Sequence, residues 1–169
     1  WNHDPYQAAA DLLEQRADGA IALRISTGDT RLTTDVRWCA DSIVLPPLRG
    51  QGGHSLSVAA GARLSIDRSR TATRMEKQAA DGSFPWFAPP TRFTIAPGAD
   101  LLVEKGASLR LERGSALHVL PGARLEVEKG ARLDVDSSSA IILHGDGRLV
   151  VGNRALKKLR KKKRLLSVQ

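Results

Sequence analysis

The side chains that could do acid–base or metal chemistry in this chain are carboxylates spaced two residues apart in its second half. Glu126, Glu128, Asp134 and Asp136 would share one face of extended strands. Acids on one face could imitate the groove of a sugar-cleaving enzyme, or bind calcium. Three basic residues stand among them: Arg124, Lys129 and Arg132. This mixture of charges favours a solvated, balanced face over a reactive one.

The four histidines do not form a metal-binding pattern. His3, His54, His118 and His144 are far apart in sequence and lack the short spacing of zinc sites. The chain also has no glycine-rich phosphate loop, no HExxH motif and no GxSxG motif. We therefore expect no catalytic residue, no metal site and no cofactor, and we expect that the protein is not an enzyme.

Basic side chains at the C-terminal end are candidates for binding a polyanion. The net charge is +8, but residues 1–153 contain equal numbers of basic and acidic residues, so the excess lies in residues 154–169. The candidate contacts are Lys157, Lys158, Arg160, Lys161, Lys162, Lys163 and Arg164. Nucleic acid or an anionic membrane could bind only through this tail. The tail is either an amphipathic helix with Leu156, Leu159 and Leu166 on one side, or a solvated, partly disordered arm.

A cluster of aromatic residues lies in a segment that interrupts the regular pattern of the chain, residues 69–90. Phe84, Trp86 and Phe87 are the candidate contacts for a sugar or protein partner, since insertions in repeat proteins form loops that often carry binding. The alternative is that these aromatics fold over the wall or end of the domain as a plug.

The elements that position these residues are eight-residue repeats. Seven of them follow one another from Gly98: GADLLVEK, GASLRLER, GSALHVLP, GARLEVEK, GARLDVDS, SSAIILHG and DGRLVVGN. Apolar residues alternate with polar ones, which predicts a strand with one buried face. Glycine begins most repeats and suits a tight corner. Two earlier repeats start at Gly53 and Gly61.

The repeats predict an all-β protein, most simply a parallel β-solenoid with two or three repeats per turn; an antiparallel β-meander is the alternative. With 24 residues per turn, Asp100 would stack on Arg124 and Arg110 on Asp134, but Glu104 would lie over Glu128. We divide the chain into an N-terminal capping helix (1–19), a solenoid (20–153) and the basic tail (154–169). The capping helix would begin after Asp4 and end at Gly19.

GARLEVEK and GARLDVDS resemble the Gly-Ala-x-Leu-x-Val repeats of large secreted or surface-anchored bacterial proteins that form parallel β-helices. The resemblance covers residues 53–68 and 91–153 and implies a stalk, spacer or adhesin. It therefore suggests a non-enzymatic structural or adhesive module with a protein or glycan partner, and self-association by end-to-end or edge stacking. A polysaccharide-active enzyme is the least favoured alternative.

The resemblance also implies a secreted or cell-surface location. An intracellular location is the alternative, because Lys161–Arg164 resembles a nuclear-import patch. The chain starts at Trp1 without a methionine, which we interpret as a processed product or an excised piece.

Overall fold

The computed structural model of the chain describes residues 10–15, 21–25, 30–47, 55–67, 91–112 and 114–168. Their elements, in chain order, are β1 (Ala10–Gln15), β2 (Ile21–Ile25), β3 (Thr30–Leu32), β4 (Val36–Cys39), β5 (Ser42–Leu45), β6 (Leu56–Val58), β7 (Arg63–Asp67), β8 (Thr91–Ile95), β9 (Asp100–Val103), β10 (Ser108–Leu111), β11 (Ser115–Val119), β12 (Arg124–Val127), β13 (Arg132–Val135), β14 (Ala140–His144), β15 (Arg148–Val150), α1 (Asn153–Lys161) and β16 (Leu165–Val168).

The strands form three sheets that the chain visits in turn. Sheet 1 has the order β1-β2-β5-β8-β11-β14-β16, sheet 2 the order β15-β12-β9-β6-β3, and sheet 3 the order β13-β10-β7-β4. Within the described ranges all strand pairs are parallel except β1 with β2. The protein is therefore a parallel β-solenoid, as the repeats predict, and it is not an antiparallel meander.

Three repeats make one turn in the regular part of the coil. Ser115 pairs with Thr91, and Arg124 pairs with Asp100, so stacked residues are 24 positions apart, like Gly114 and Ser138. The expected neighbours Arg110 and Asp134 are also in register. Of the two predicted turn lengths, the longer one is confirmed.

The core is a column of inward side chains shared by all three sheets. Leu101, Leu109 and Leu125 are fully buried, and so are Leu56 and Leu64, their equivalents in an earlier turn. A buried aliphatic side chain contributes about 1.5–3 kcal/mol to stability. Two aromatic residues, Trp38 and Phe93, also lie in this core, with ring centroids 5.9 Å apart.

Glycine at the corner between repeats has the left-handed conformation that the sequence pattern requires. Gly122 has a φ of +83°, and a Cβ added there would lie 3.6 Å from the main-chain nitrogen of Gly98, its equivalent in the preceding turn. Residues with a Cβ avoid this conformation, so the corner depends on glycine.

The corner between sheets 3 and 1 carries a column of buried hydroxyl groups from Thr91, Ser115 and Ser139. These hydroxyls donate to the carbonyl oxygens of Ala40, Ile66 and Glu112, at 2.8, 3.3 and 2.5 Å. The Ser139 hydroxyl also accepts the main-chain N–H of Ser115 at 3.1 Å. Each turn thereby satisfies polar main-chain groups that a fully apolar corner would leave unpaired.

The last turn departs from this pattern. The helix α1 follows β15 of sheet 2 and precedes β16 of sheet 1, where other turns have a strand of sheet 3. Its Leu159 is buried and belongs to the core cluster, together with half-buried Leu133 and Val135. The expectation that Leu166 lies on the same helix face is wrong, because Leu166 is in β16 and is 47% exposed.

The N-terminal prediction also needs a correction. Residues 10–15, which we expected within a capping helix, form β1 and pair with β2. The apolar spacing of this segment fits a helix, but pairing with the strand IALRI prevails over local propensity. The rest of the predicted helix lies outside the described residues.

Candidate anion-binding site

The outward face of sheet 3 carries basic, acidic and serine side chains in stacked rows. Arg63, Ser108 and Arg132 form one row across β7, β10 and β13. Arg110 and Asp134 belong to the next row. The strands present these side chains outward because the alternate positions, such as Leu109 and Leu133, point into the core.

The helix α1 converts the end of this face into a cleft. The cleft has a volume of about 490 Å³ and is lined by α1, by outward side chains of β10 and β13, and by the inward side chains of Leu111, Leu133 and Val135 at the end of the core. Ala155 and Leu159 form its apolar wall on the helix. A volume of this order can hold a small organic ligand, which typically occupies about 300–1,000 Å³.

Basic residues predominate around the cleft. Six of its lining residues are cations: Arg63, Arg110, Arg132, Lys158, Lys162 and Arg164. Only Arg110 forms an ion pair within the described part of the chain, with Nε 3.2 Å from Glu112 Oε1. The others leave positive charge facing the cleft, which favours an anion there.

Three carboxylates also line the cleft: Glu112, Asp134 and Asp136. Glu112 is the partner of Arg110. The carboxylate of Asp136 accepts hydrogen bonds from the hydroxyl and the main-chain N–H of Ser138, at 2.7 and 3.2 Å. These bonds, with the nearby charge of Arg164, hold the pKa of Asp136 below its ordinary value. Asp134 is exposed and has no ion-pair partner among the described residues.

Arg164 differs from the other cations because part of its guanidinium is buried. Its Nε is inaccessible to solvent and has no hydrogen-bond partner among the described residues. The main-chain N–H of Arg164 donates to the carbonyl of Leu159 at 2.9 Å, which fixes its backbone against the end of α1. A buried, unpaired donor is unfavourable unless a ligand or solvent satisfies it.

The tail residues expected to contact a polyanion fall into two groups. Lys158, Lys162 and Arg164 line the cleft, where the fold brings them close to the arginines of sheet 3. The remaining four are exposed and lie outside the cleft lining: Lys157, Arg160, Lys161 and Lys163. The sequence does not indicate the contribution of Arg63, Arg110 and Arg132. The 24-residue turn could have shown that Arg110 and Arg132 share one face, whereas Arg63 is 45 residues from Ser108, its neighbour in register, and has no such signal.

The aromatic candidates Phe84, Trp86 and Phe87, with the whole insertion from 69 to 90, lie outside the described residues. Their expected role in contacting a partner therefore stays a prediction.

The carboxylates of Glu126, in β12, and of Glu128, just after it, have polar partners on nearby residues. Glu126 Oε1 lies 3.2 Å from Arg124 Nη2. Glu128 accepts the main-chain N–H of Lys105 at 3.2 Å, while Glu104 makes two contacts of 2.9 Å with Arg31. The expected clash of Glu104 with Glu128 is thus relieved by separate partners. No group of three potential metal ligands occurs among the residues that the structure describes.

Two histidines that the sequence leaves far apart meet on the outer face of sheet 1. Nδ1 of His118 lies 2.8 Å from Nε2 of His144, and their rings stack with centroids 5.1 Å apart. Partial burial and the charges of Arg92 and His144 hold the pKa of His118 below its ordinary value. The separation of 26 residues, one turn plus two, is the signal that could have predicted this pair.

Comparison of the chain with models of protein families, with curated proteins and with solved structures finds no match. Over the described ranges, α1 included, the chain contains no helix with the length and apolar character needed to cross a membrane.

Proposed function

We propose that the chain is a binding module in which the solenoid carries a basic site for a polyanion. The observation that carries this proposal is the set of six cations around one cleft, of which only Arg110 has a carboxylate partner among the described residues. Two separate parts of the chain supply them, the outer face of sheet 3 and the end of the tail. The proposal assigns no reaction to the protein.

Positive charge alone does not distinguish the cleft from the surface around it, because exposed lysines also surround the cleft. Lys158 and Lys162 line the cleft, whereas Lys157 and Lys161 are neighbours on the same helix that do not. The two pairs carry the same charge, have the same chemistry and stand one residue apart. They provide a matched comparison between a defined site and a diffuse basic surface.

The experiment measures binding of fluorescent dextran sulfate to the intact chain over a range of salt concentrations. We expect binding to weaken steeply with salt, and we expect K158Q/K162Q to lose about tenfold more affinity than K157Q/K161Q. Equal losses would contradict a defined site. Removal of residues 154–169 is not a suitable test, because it would also delete β16, which pairs with β14.

A structural or adhesive role is a second candidate, and the uninterrupted core supports it. Leu45, Leu101 and Leu125 are fully buried in separate turns, and stacking of this kind makes a rigid spacer. In this role the module belongs to a secreted or cell-surface assembly and contacts proteins or glycans. Its test is retention of labelled chain on bacterial cells at high salt. An adhesive contact outside the cleft predicts equal retention of K158Q/K162Q, and loss of retention would count against it.

A further inference from the structure

We infer that the cleft binds phosphate or sulfate ester groups carried by a sugar or related polyol, rather than a polyanion that lacks hydroxyl groups. This inference deepens the proposed function and rests on it. The basis is the combination of unpaired cations, nearby carboxylates and a buried unsatisfied guanidinium in one cavity of limited size.

The charge of the cleft favours a tetrahedral oxyanion that several cations can contact at once. Arg132, Lys158, Lys162 and Arg164 line it and make no ion pair with described residues. Arginine forms paired hydrogen bonds with tetrahedral oxyanions, and lysine adds a compact charge. A phosphate monoester, with its near-double charge and three terminal oxygens, matches several cations better than a single carboxylate does.

Arg164 gives the cleft a specific donor for the oxyanion. Its Nε is buried and lacks a partner among the described residues, while its backbone is held by the carbonyl of Leu159. A donor that is already ordered and desolvated loses little on binding. A shift of this side chain that turns Nε toward the cleft would let an ester oxygen accept its hydrogen, and this bond would remove the unfavourable unpaired state.

The carboxylates in the cleft argue for hydroxyl groups on the same ligand. Asp134 is exposed and without an ion-pair partner among described residues, and it stands next to Arg110 in the neighbouring strand. A carboxylate repels a bare anion but accepts hydrogen bonds from hydroxyls. A nucleic acid backbone, with a negative charge at every phosphate, would encounter this repulsion repeatedly. A polyol with one ester group can place its charge at the cations and its hydroxyls at Asp134.

The volume of about 490 Å³ is consistent with one or two sugar units. Phosphate and sulfate esters share the tetrahedral oxyanion that this cleft would recognise. Separate titrations with a phosphate ester and a sulfate ester therefore show which of the two the cleft binds.

The test is isothermal titration of the intact chain with glucose 6-phosphate, glucose 6-sulfate, glucose and inorganic phosphate. We expect one of the two esters to bind more tightly than inorganic phosphate, and glucose to bind most weakly. R132Q and K158Q should each lower ester affinity about tenfold. The control K157Q should stay within about twofold, since Lys157 lies outside the cleft lining.

The variant D134N separates the proposed ligand from a bare anion. Loss of a negative charge should strengthen the binding of inorganic phosphate. It should weaken or leave unchanged the binding of the ester, because Asp134 also accepts a hydroxyl. Equal strengthening of both ligands would overturn the inference, as would an ester that binds no better than inorganic phosphate.

Short single-stranded DNA and anionic vesicles serve as competitors. Tighter binding of either than of both esters would also overturn the inference, although the proposed function would stand. If dextran sulfate itself fails to distinguish the two lysine pairs, the proposed function fails as well. The two failures are therefore distinguishable.

Discussion

The middle turns and the last turn of this solenoid cover the apolar core with different elements. In the middle turns, strands such as β10 and β12 lie between neighbours on both sides, and their inward leucines are fully buried. In the last turn, α1 takes the place of a strand of sheet 3, and Leu133 and Val135 beneath it are only half-buried. The regular turns provide stability, while the irregular turn provides a concave surface.

This difference shows why outward charges become a candidate site only at one end. The same kind of charged face runs along β7, β10 and β13. Beside α1, a second wall converts that face into a cavity. A break in the repeat thus provides a concave surface for binding.

The largest expected effect contrasts two leucines that are neighbours in register. Leu109 in β10 is fully buried, and Leu133 in β13 is half-buried. L109A should lower the free energy of unfolding by about 2–5 kcal/mol, because the surrounding strands cannot collapse onto the cavity. L133A should cost clearly less. Urea denaturation followed by circular dichroism measures both, and equal losses would remove the distinction between the turns.

The contribution of α1 is tested at Leu159, its buried residue. L159A should cost about 2 kcal/mol, the low end of the range for a leucine truncation, since it lies at the end of the core. The exposed Leu166 is the matched control, and L166A should change stability by less than about 0.5 kcal/mol. If L159A is as mild as L166A in the same denaturation experiment, α1 does not close the core.

A smaller effect is expected at the corner glycines. G122A places a Cβ at a left-handed residue of a middle turn and should cost about 1–2 kcal/mol. Gly152, before α1, has a φ of −60° and open space where a Cβ would lie. Gly152 is the N-cap of α1, a position that disfavours alanine, so we expect G152A to cost about 0.5 kcal/mol, less than G122A. Melting temperatures of the two variants make the comparison, and a neutral G122A would contradict the strain argument.

The smallest effect is a pH dependence from His118, which lies in a middle turn. Its folded-state pKa is lowered, so the unfolded chain binds more protons between the lowered pKa and the ordinary value of about 6.5. Stability should thus be greatest above that ordinary value and fall as the pH decreases through this window. Unfolding of H118Q across the same pH range provides the measurement, and an unchanged slope would exclude His118 as its source.

Most of the regular coil could be predicted from the sequence, because each repeat contains the residues that specify its own corner and its own inward face. In GARLEVEK, the glycine predicts the corner, and Leu125 and Val127 predict the inward face. Three such repeats form one turn of 24 residues. Trp38 is harder to assign, since it lies on a strand of the less regular first half.

The candidate site could be predicted only in part. The basic tail is visible in the sequence, but its helix-and-strand geometry depends on packing against the end of the coil. The contribution of Arg132 requires the register of sheet 3, and the meeting of His118 with His144 requires a diagonal contact between turns. These contacts can be inferred from the sequence only once the length of the turn is known. The segment of β1 resembles a helix because its apolar spacing fits one, whereas its strand conformation depends on pairing with β2.

The bond from Thr91 to Asp67 has a consequence for how this protein can change over evolution. The Thr91 hydroxyl lies 3.4 Å from the carbonyl oxygen of Asp67, and 2.8 Å from that of Ala40. These contacts join the two ends of the stretch 68–90, and the coil resumes its register directly afterwards. By loop-closure entropy, doubling the number of residues between two fixed ends costs only about 0.6 kcal/mol. Insertions of different lengths can therefore be accepted between Asp67 and Thr91. Such insertions could add or exchange a recognition segment without changing the three sheets.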